Sequence, residues 1–316
     1  MKFRQLSTFL LVADMRSLSR AAIASDTAQS LVSRQIAMLE AEWGRRLFDR
    51  TGRGMALSDF GRQMYPEVKR VVDQLGQLDA LAREAAGVLT GTVHVGVLPS
   101  MSRQLLPQLL ADVREKAPAL RLHVMEGFSG TLDEQLASGR LDMIVVNRYG
   151  SSALRGEDVL GKVDTFLVGK PGSPQLRGET IAFRDLVGIP FVLPAMPNGL
   201  RTTVDTLARK HGIAIDVLME VDTSTAMKDV AMSGHAFTLL PVTAIHEELV
   251  AGTLAAVRIA RPGIRRTIAF SLTQHHPLSK GARLVASLVR HLAVQLLRSS
   301  EKFAEEPVKT DPAGRA

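Results

Sequence analysis

"TAQSLVSRQIAMLE" runs from Thr27 to Glu40. Its apolar residues, Leu31, Val32, Ile36 and Leu39, recur at helical spacing and define one buried face. The other face carries Gln29, Ser30, Ser33, Arg34 and Gln35. Hydroxyls, amides and a guanidinium therefore crowd the N-terminal half of a short helix, on the side turned away from the core. Upstream, "RSLSRAAIAS" reads as a second helix capped by Ser17 or Ser19. The polar break "SDTAQ" separates the two, with Asp26 and Gln29 spaced as a capping box that has Asp in place of Ser or Thr. Phe3, Leu6, Leu10 and Ala13 mark a further helix before these. Two short helices about a tight turn form a helix-turn-helix. Downstream, Gly44, Gly52, Gly54 and Gly61 punctuate "GRRLFDRTGRGMALSDFG". "LFDR" and "MALS" fit two short strands about a Gly-Arg-Gly tip, a small wing beside the helices.

From Phe60 the period changes. Phe60, Met64, Val68, Val71, Leu75, Leu78, Ala82, Ala85 and Leu89 alternate steps of four and three. About four heptads of this kind predict a long helix that pairs with a copy of itself. Pro66 falls early in it and is expected to kink it or close its first turn, because an interior proline costs about 3 kcal/mol.

"GTVHVGVLPS" opens another regime. Strand-like "LRLHVMEG", "LDMIVVN", "DTFLVGK", "IPFVLPA", "IDVLMEV", "AFTLLP" and "TIAFSLT" alternate with helical "RQLLPQLLADVREKAP", "TLDEQLASGR", "FRDLVG", "LRTTVDTLARKHG" and "STAMKDVAMSG". Such alternation predicts an α/β domain on a mostly parallel sheet. "SKGARLVASLVRHLAVQLLRSS" is a closing helix, and 301–316 is expected to be a disordered tail.

With 316 residues the chain is too long for one ordinary core. Aromatic content of 4% argues against stacking bases on a sheet. The absence of cysteine excludes disulfides, thiolate metal sites and a cysteine nucleophile, and fits a cytoplasmic protein. A net charge of +7 favours anionic partners. The apolar start is broken by Asp14 and lacks a cleavage site, so no signal peptide is expected. No stretch approaches the roughly 20 apolar residues of a membrane span.

The pieces "LSTFLLVAD", "SLSRAA", "QSLVSRQIAMLEAEWGRRLFDR" and "TGRGMALSDFG" resemble, in order and spacing, the LysR-type transcriptional regulator family. The resemblance covers about the first 65 residues, and "LTGTVHVGVLPS", "SGRLDMIVV" and "AFTLLP" sit where that family has related segments. It implies a winged helix-turn-helix at 1–59, a linker and dimerisation helix at 60–90, and a two-lobed effector-binding domain at 91–300 resembling periplasmic solute-binding proteins. Lobe 1 is expected at about 91–163 and 268–300, and lobe 2 at about 164–267. It also implies double-stranded DNA, a small-molecule effector, assembly from homodimer to homotetramer, RNA polymerase contact in an activator, and no cofactor. Within the motif, Ser25 and Thr27 replace the common Leu and Val, Ala28 the usual Ser cap, and Ser30 the common Pro. A missing Ser cap costs around 1 kcal/mol, and Asp26 is expected to stand in for it.

A recognition helix presents its N-terminal residues to the major groove. Gln29 suits adenine and Arg34 guanine, while Ser30 and Ser33 reach bases or phosphates. Arg50 and Arg53 flank the wing tip, where they can grip phosphate or enter the minor groove. In the α/β part, ligands bind beyond the carboxyl ends of strands. Ser100, Met101 and Ser102 follow one strand, Phe128 and Ser129 another, Asn198 a third and Thr223 a fourth. Hydroxyls at helix starts suit a small anion, although the same residue types serve equally as caps. Two chain crossings, near Asn147–Asp164 and Arg265–Phe270, are expected to form a hinge.

His275 and His276 are adjacent and point different ways on a strand, so no metal site is expected. His94 and His123 read as core histidines. A solute-binding protein or an enzyme on the same scaffold is the alternative reading. The first predicts an export signal and the second a nucleophilic or acid–base constellation, and neither is visible in the chain.

Overall fold

The computed structural model describes residues 2–51, 54–84, 89–150 and 156–305. The chain divides into two compact units, Met1–Gly91 and Thr92–Ala316.

In the first unit, α1 (Phe3–Met15), α2 (Leu18–Ala24) and α3 (Gln29–Trp43) enclose a core of Leu6, Phe9, Val12, Ala21, Val32, Ile36 and Leu39. Ser17 caps α2 by accepting from the Arg20 N–H. Gly44 ends α3 at φ 67°, a left-handed conformation that favours glycine. Glu40 then accepts from the Leu47 N–H at 2.7 Å and fixes the path into the wing. The wing is the antiparallel pair β1 (Phe48–Thr51) and β2 (Gly54–Leu57), with Arg50 opposite Met55. Gly54 lies so close to the Arg16 carbonyl that a Cβ there would stand 2.5 Å from its oxygen, so only glycine lets the wing dock on the end of α1.

The long helix α4 (Asp59–Glu84) accommodates Pro66 in its interior instead of ending there. Its heptad seam divides in two. Phe60, Met64 and Val68, with the off-seam Val72, pack into the first unit's own core, whereas Val71, Leu75 and Leu78 are exposed. Tyr65 donates to Asp14 of α1 at 2.5 Å. Burial, together with that bond and the nearby acids, pushes the Tyr65 hydroxyl up to about 12. Ala85 of the expected seam lies outside the described residues.

The second unit opens with β3 (Gly91–Val97), α5 (Pro99–Lys116), β4 (Leu120–Glu126), α6 (Ser129–Ala137), β5 (Met143–Tyr149) and β6 (Asp158–Asp164). It continues with β7 (Phe166–Gly169), β8 (Thr180–Ala182), β9 (Pro190–Leu193), α7 (Gly199–His211), β10 (Asp216–Glu220), α8 (Ser224–Ser233), β11 (Thr238–Leu240), α9 (Val242–Val250) and β12 (Ala255–Ala260). Strand β13 (Arg265–Leu272) and helix α10 (Lys280–Glu305) close it. A five-stranded sheet, order β4-β3-β5-β13-β6, forms the first lobe. A four-stranded sheet, β11-β7-β12-β8, and the pair β10-β9 form the second.

The sheets are mixed and not mostly parallel as expected, although β8 with β12 and β9 with β10 pair in parallel. β3 and β5 run parallel, but β13 is antiparallel to β5 and β6, and β7 is antiparallel to β11 and β12. The returning strand reverses the direction of the sheet it rejoins. β6, β8, α9 and β12 were not expected from the sequence. The helix expected at "FRDLVG" is a single 3-10 turn, Phe183–Leu186. The chain passes between lobes at Thr165 and returns at Ile264, and the Thr165 N–H donates to the Ile264 carbonyl at 2.9 Å. The expected disordered tail starts late, because α10 continues through 301–305. Residues 306–316 lie outside the described ones.

Candidate functional site

Helix α3 buries Val32, Ile36 and Leu39 and leaves Gln29, Ser30 and Arg34 exposed, with Ser33 half-buried. Gln29 accepts from Ser19 at 3.0 Å, which ties it to α2. Gln35 turns inward and bonds Thr8, so it belongs to the fold. The expected Asp26 cap does not form. Asp26 sits in the turn at φ 49°, and the N-cap is Ala28, which has no side chain able to accept a bond. The start of α3 therefore keeps its N–H groups and partial positive charge directed outward. Arg50 lies on β1, and Arg53 lies outside the described residues.

The seven residues expected around an effector fall into different environments. Met101 is 1% exposed and packs in the core. Ser102 is buried and bonds Glu126 and the Pro99 carbonyl. Ser100 and Phe128 are half-buried at the starts of α5 and α6. Ser129 accepts from the Asn147 N–H at 2.9 Å and so links α6 to the end of β5. Asn198 caps α7, accepting from Leu200 at 2.9 Å and Arg201 at 3.4 Å. Thr223 caps α8. For Asn198 and Thr223 the capping alternative is thus the observed one.

Between the lobes lies a cavity of about 660 Å³ lined by Pro99, Ser102 and Arg103 of α5, Glu126 of β4, Ser224, Thr225 and Lys228 of α8, and Glu247 and Glu248 of α9. Of the seven expected residues, Ser102 lines it. Arg103 reaches across to Glu247 at 2.5 Å and Glu248 at 3.2 Å, and Lys228 bonds Glu248 at 2.5 Å. Burial pushes the Glu248 carboxyl up, but the Lys228 hydrogen bond and the charges of Lys228 and Arg103 outweigh it. The carboxyl is held below the ordinary range.

Arginines that sequence reasoning passed over gather at the end of the first sheet. Arg148 holds Asp133 at 2.7 Å and Glu157 at 3.1 Å. Arg265 holds Asp164 at 2.9 Å. Arg266 is 5% exposed. A signal was present: two consecutive arginines open a strand, so one of them must face inward. Among the histidines, His94 and His276 each lie 3.6 Å from Asp142, and His123 is exposed, not in the core.

No group of three or more His, Cys, Asp or Glu able to hold a metal occurs among the described residues, and none of their helices is long and apolar enough to cross a membrane. The profile of the bacterial regulatory helix-turn-helix protein, lysR family, matches residues 3–62, and that of the LysR substrate binding domain matches 86–293. The chain is 25% identical over 305 residues to the hydrogen peroxide-inducible genes activator of Dickeya chrysanthemi, covering 96% of this chain and 100% of that one. It is 27% identical over 296 residues to the nitrogen assimilation regulatory protein nac of Escherichia coli K12, covering 92% and 94%. Among solved structures, CbnR, a LysR family transcriptional regulator, aligns with a TM-score of 0.66 at 21% identity, covering 95% and 99%. CbnR complexed with its target DNA aligns equally well, covering 95% and 100%.

Proposed function

This chain belongs to the LysR family of transcriptional regulators, with a helix-turn-helix DNA-binding domain and an effector-binding domain, and we propose that α3 reads base edges in the major groove. Gln29, Ser30, Ser33 and Arg34 make the contacts, with Arg50 and Arg53 on the flanking groove or phosphates. The carrying observation is the division of α3, which exposes Gln29, Ser30 and Arg34 while burying Val32, Ile36 and Leu39 on its other face. A bidentate Arg34–guanine pair contributes about 1–3 kcal/mol of discrimination. Arg34→Ala is expected to flatten the footprint at the DNA upstream of the protein's own gene. Arg53→Ala is expected to weaken binding to all DNA and lower the salt dependence. Equal footprints for wild type and Arg34→Ala would remove base reading by this helix.

The domain boundaries are 1–59, 60–90 and 91–300. The effector is a small anion held between the lobes, with Ser100 and Ser129 among its contacts and Ser102 lining the adjoining cavity. Phe128 flanks the site, whereas Met101, Asn198 and Thr223 support the fold around it. The chain works in the cytoplasm as a homodimer or a tetramer of two such pairs, has no catalytic activity, and touches RNA polymerase where it activates. Two exposed apolar sets support self-association: Val71, Leu75 and Leu78 on α4, and Leu110 of α5 with Leu218 and Met219 of β10. Leu75→Glu with Leu78→Glu is expected to lower the sedimenting mass at micromolar concentration.

A further inference from the structure

Where the first sheet meets the second lobe, Arg148 and Arg265 bind carboxylates, whereas Arg266 has no carboxylate partner among the described residues. Alternation along β13 places Arg266 on the opposite face, beside Tyr149. Its Nη1 donates to the Tyr149 hydroxyl at 3.0 Å, while Nε and Nη2 are buried with no hydrogen-bond partner among the described residues. Tyr149 ends β5 yet packs against the core of the second lobe, and a Cβ on Gly199 at the start of α7 would stand 2.9 Å from its ring. The head of Arg266 therefore lies between the lobes. One same-face step back along β5, about 7 Å, the side-chain oxygen of Asn147 is also buried without a partner among the described residues.

A guanidinium stays protonated, and burying it with two donors unmet is unfavourable unless an anion arrives. Nε and Nη2 form the side-on edge that matches a carboxylate bidentately. The Asn147 oxygen accepts and so asks for a donor. We infer that Arg266 receives the carboxylate of the effector, and that the effector is a small acid bearing a hydroxyl or ammonium group directed at Asn147. This rests on the effector-domain reading above.

Thermal unfolding of the full chain without DNA tests it, using acetate and lactate at constant ionic strength as probes. Wild type is expected to gain a saturable rise in midpoint, with lactate acting at several-fold lower concentration than acetate. Arg266→Met is expected to move half-saturation up by about tenfold or more, without lowering the midpoint measured with no carboxylate. Arg266→Lys keeps the charge but not the fork; it is expected to fall between, and it carries the test if Arg266→Met does not fold. Asn147→Ala is expected to bring lactate to the level of acetate, and the exposed control Arg177→Met to match wild type. A wild type indifferent to both acids, or equal responses in wild type and both Arg266 variants, would overturn the assignment. So would a lower carboxylate-free midpoint in Arg266→Met, the mark of a structural arginine. A band shift on the upstream DNA separates the two levels. Intact DNA binding with no carboxylate response sinks only this assignment, whereas lost DNA binding sinks the regulatory reading.

Discussion

α5 and α6 of the first lobe begin at Leu98 and Phe128 with no side-chain cap, whereas α7 and α8 of the second lobe are capped by Asn198 and Thr223. All four starts follow strand ends, and all four were expected to touch a ligand. A capped start has already met its exposed N–H groups internally and has less left for an anion. An uncapped one keeps them available, as α3 does at Ala28. On the proposed reading, ligand chemistry concentrates on the first lobe, which also carries Arg266 and Asn147.

Four measurements can break or sharpen that contrast. Met101→Ala has the largest expected effect, about 3 kcal/mol in denaturant unfolding, because it empties a core position beneath the start of α5; a neutral result would return Met101 to the cleft. Asn198→Ala is expected to cost about 1 kcal/mol as a lost cap, with the acetate and lactate response unchanged. A normal fold with that response abolished would make Asn198 a ligand contact after all. The acid side of the stability curve comes next. Glu248 stays ionised below its ordinary value of 4.5, so its contribution is fully present above that pH and is lost as pH falls through the lower folded value. Lys228→Met is expected to move that loss to higher pH, and an unchanged curve would show the Lys228–Glu248 pair to be inert. Ser100→Ala should leave stability within about 0.5 kcal/mol while weakening the carboxylate response.

The first unit was legible because its signals are local. The periodicity of Val32, Ile36 and Leu39, the Ser17 cap and the glycine-flanked wing each fix structure within a few residues, whereas Leu31, expected on the buried face, is exposed. The exception is Asp26: caps turn on a single backbone angle, and spacing alone did not reveal that the turn would take Asp26 left-handed. In the second unit the principal strands and helices were readable, yet sheet order was not, because pairing of β13 with β5 and β6 joins residues far apart in sequence. "DVLGKVD" of β6 lacks clean alternation, and α9 follows the apolar "AFTLLP" with little to mark its start. At the site, residue types were predicted but not their use. A serine at a helix start looks the same whether it caps, packs or binds, and Arg266 acquires its meaning from a face assignment that needs the register of β13.

Val68 and Phe60 of α4 share one core with Val32 and Ile36 of α3. The proximal half of the long helix is thus packed against the helix proposed to read DNA. A cavity opened at Val68 is therefore expected to loosen the seating of α3 as well as that of α4.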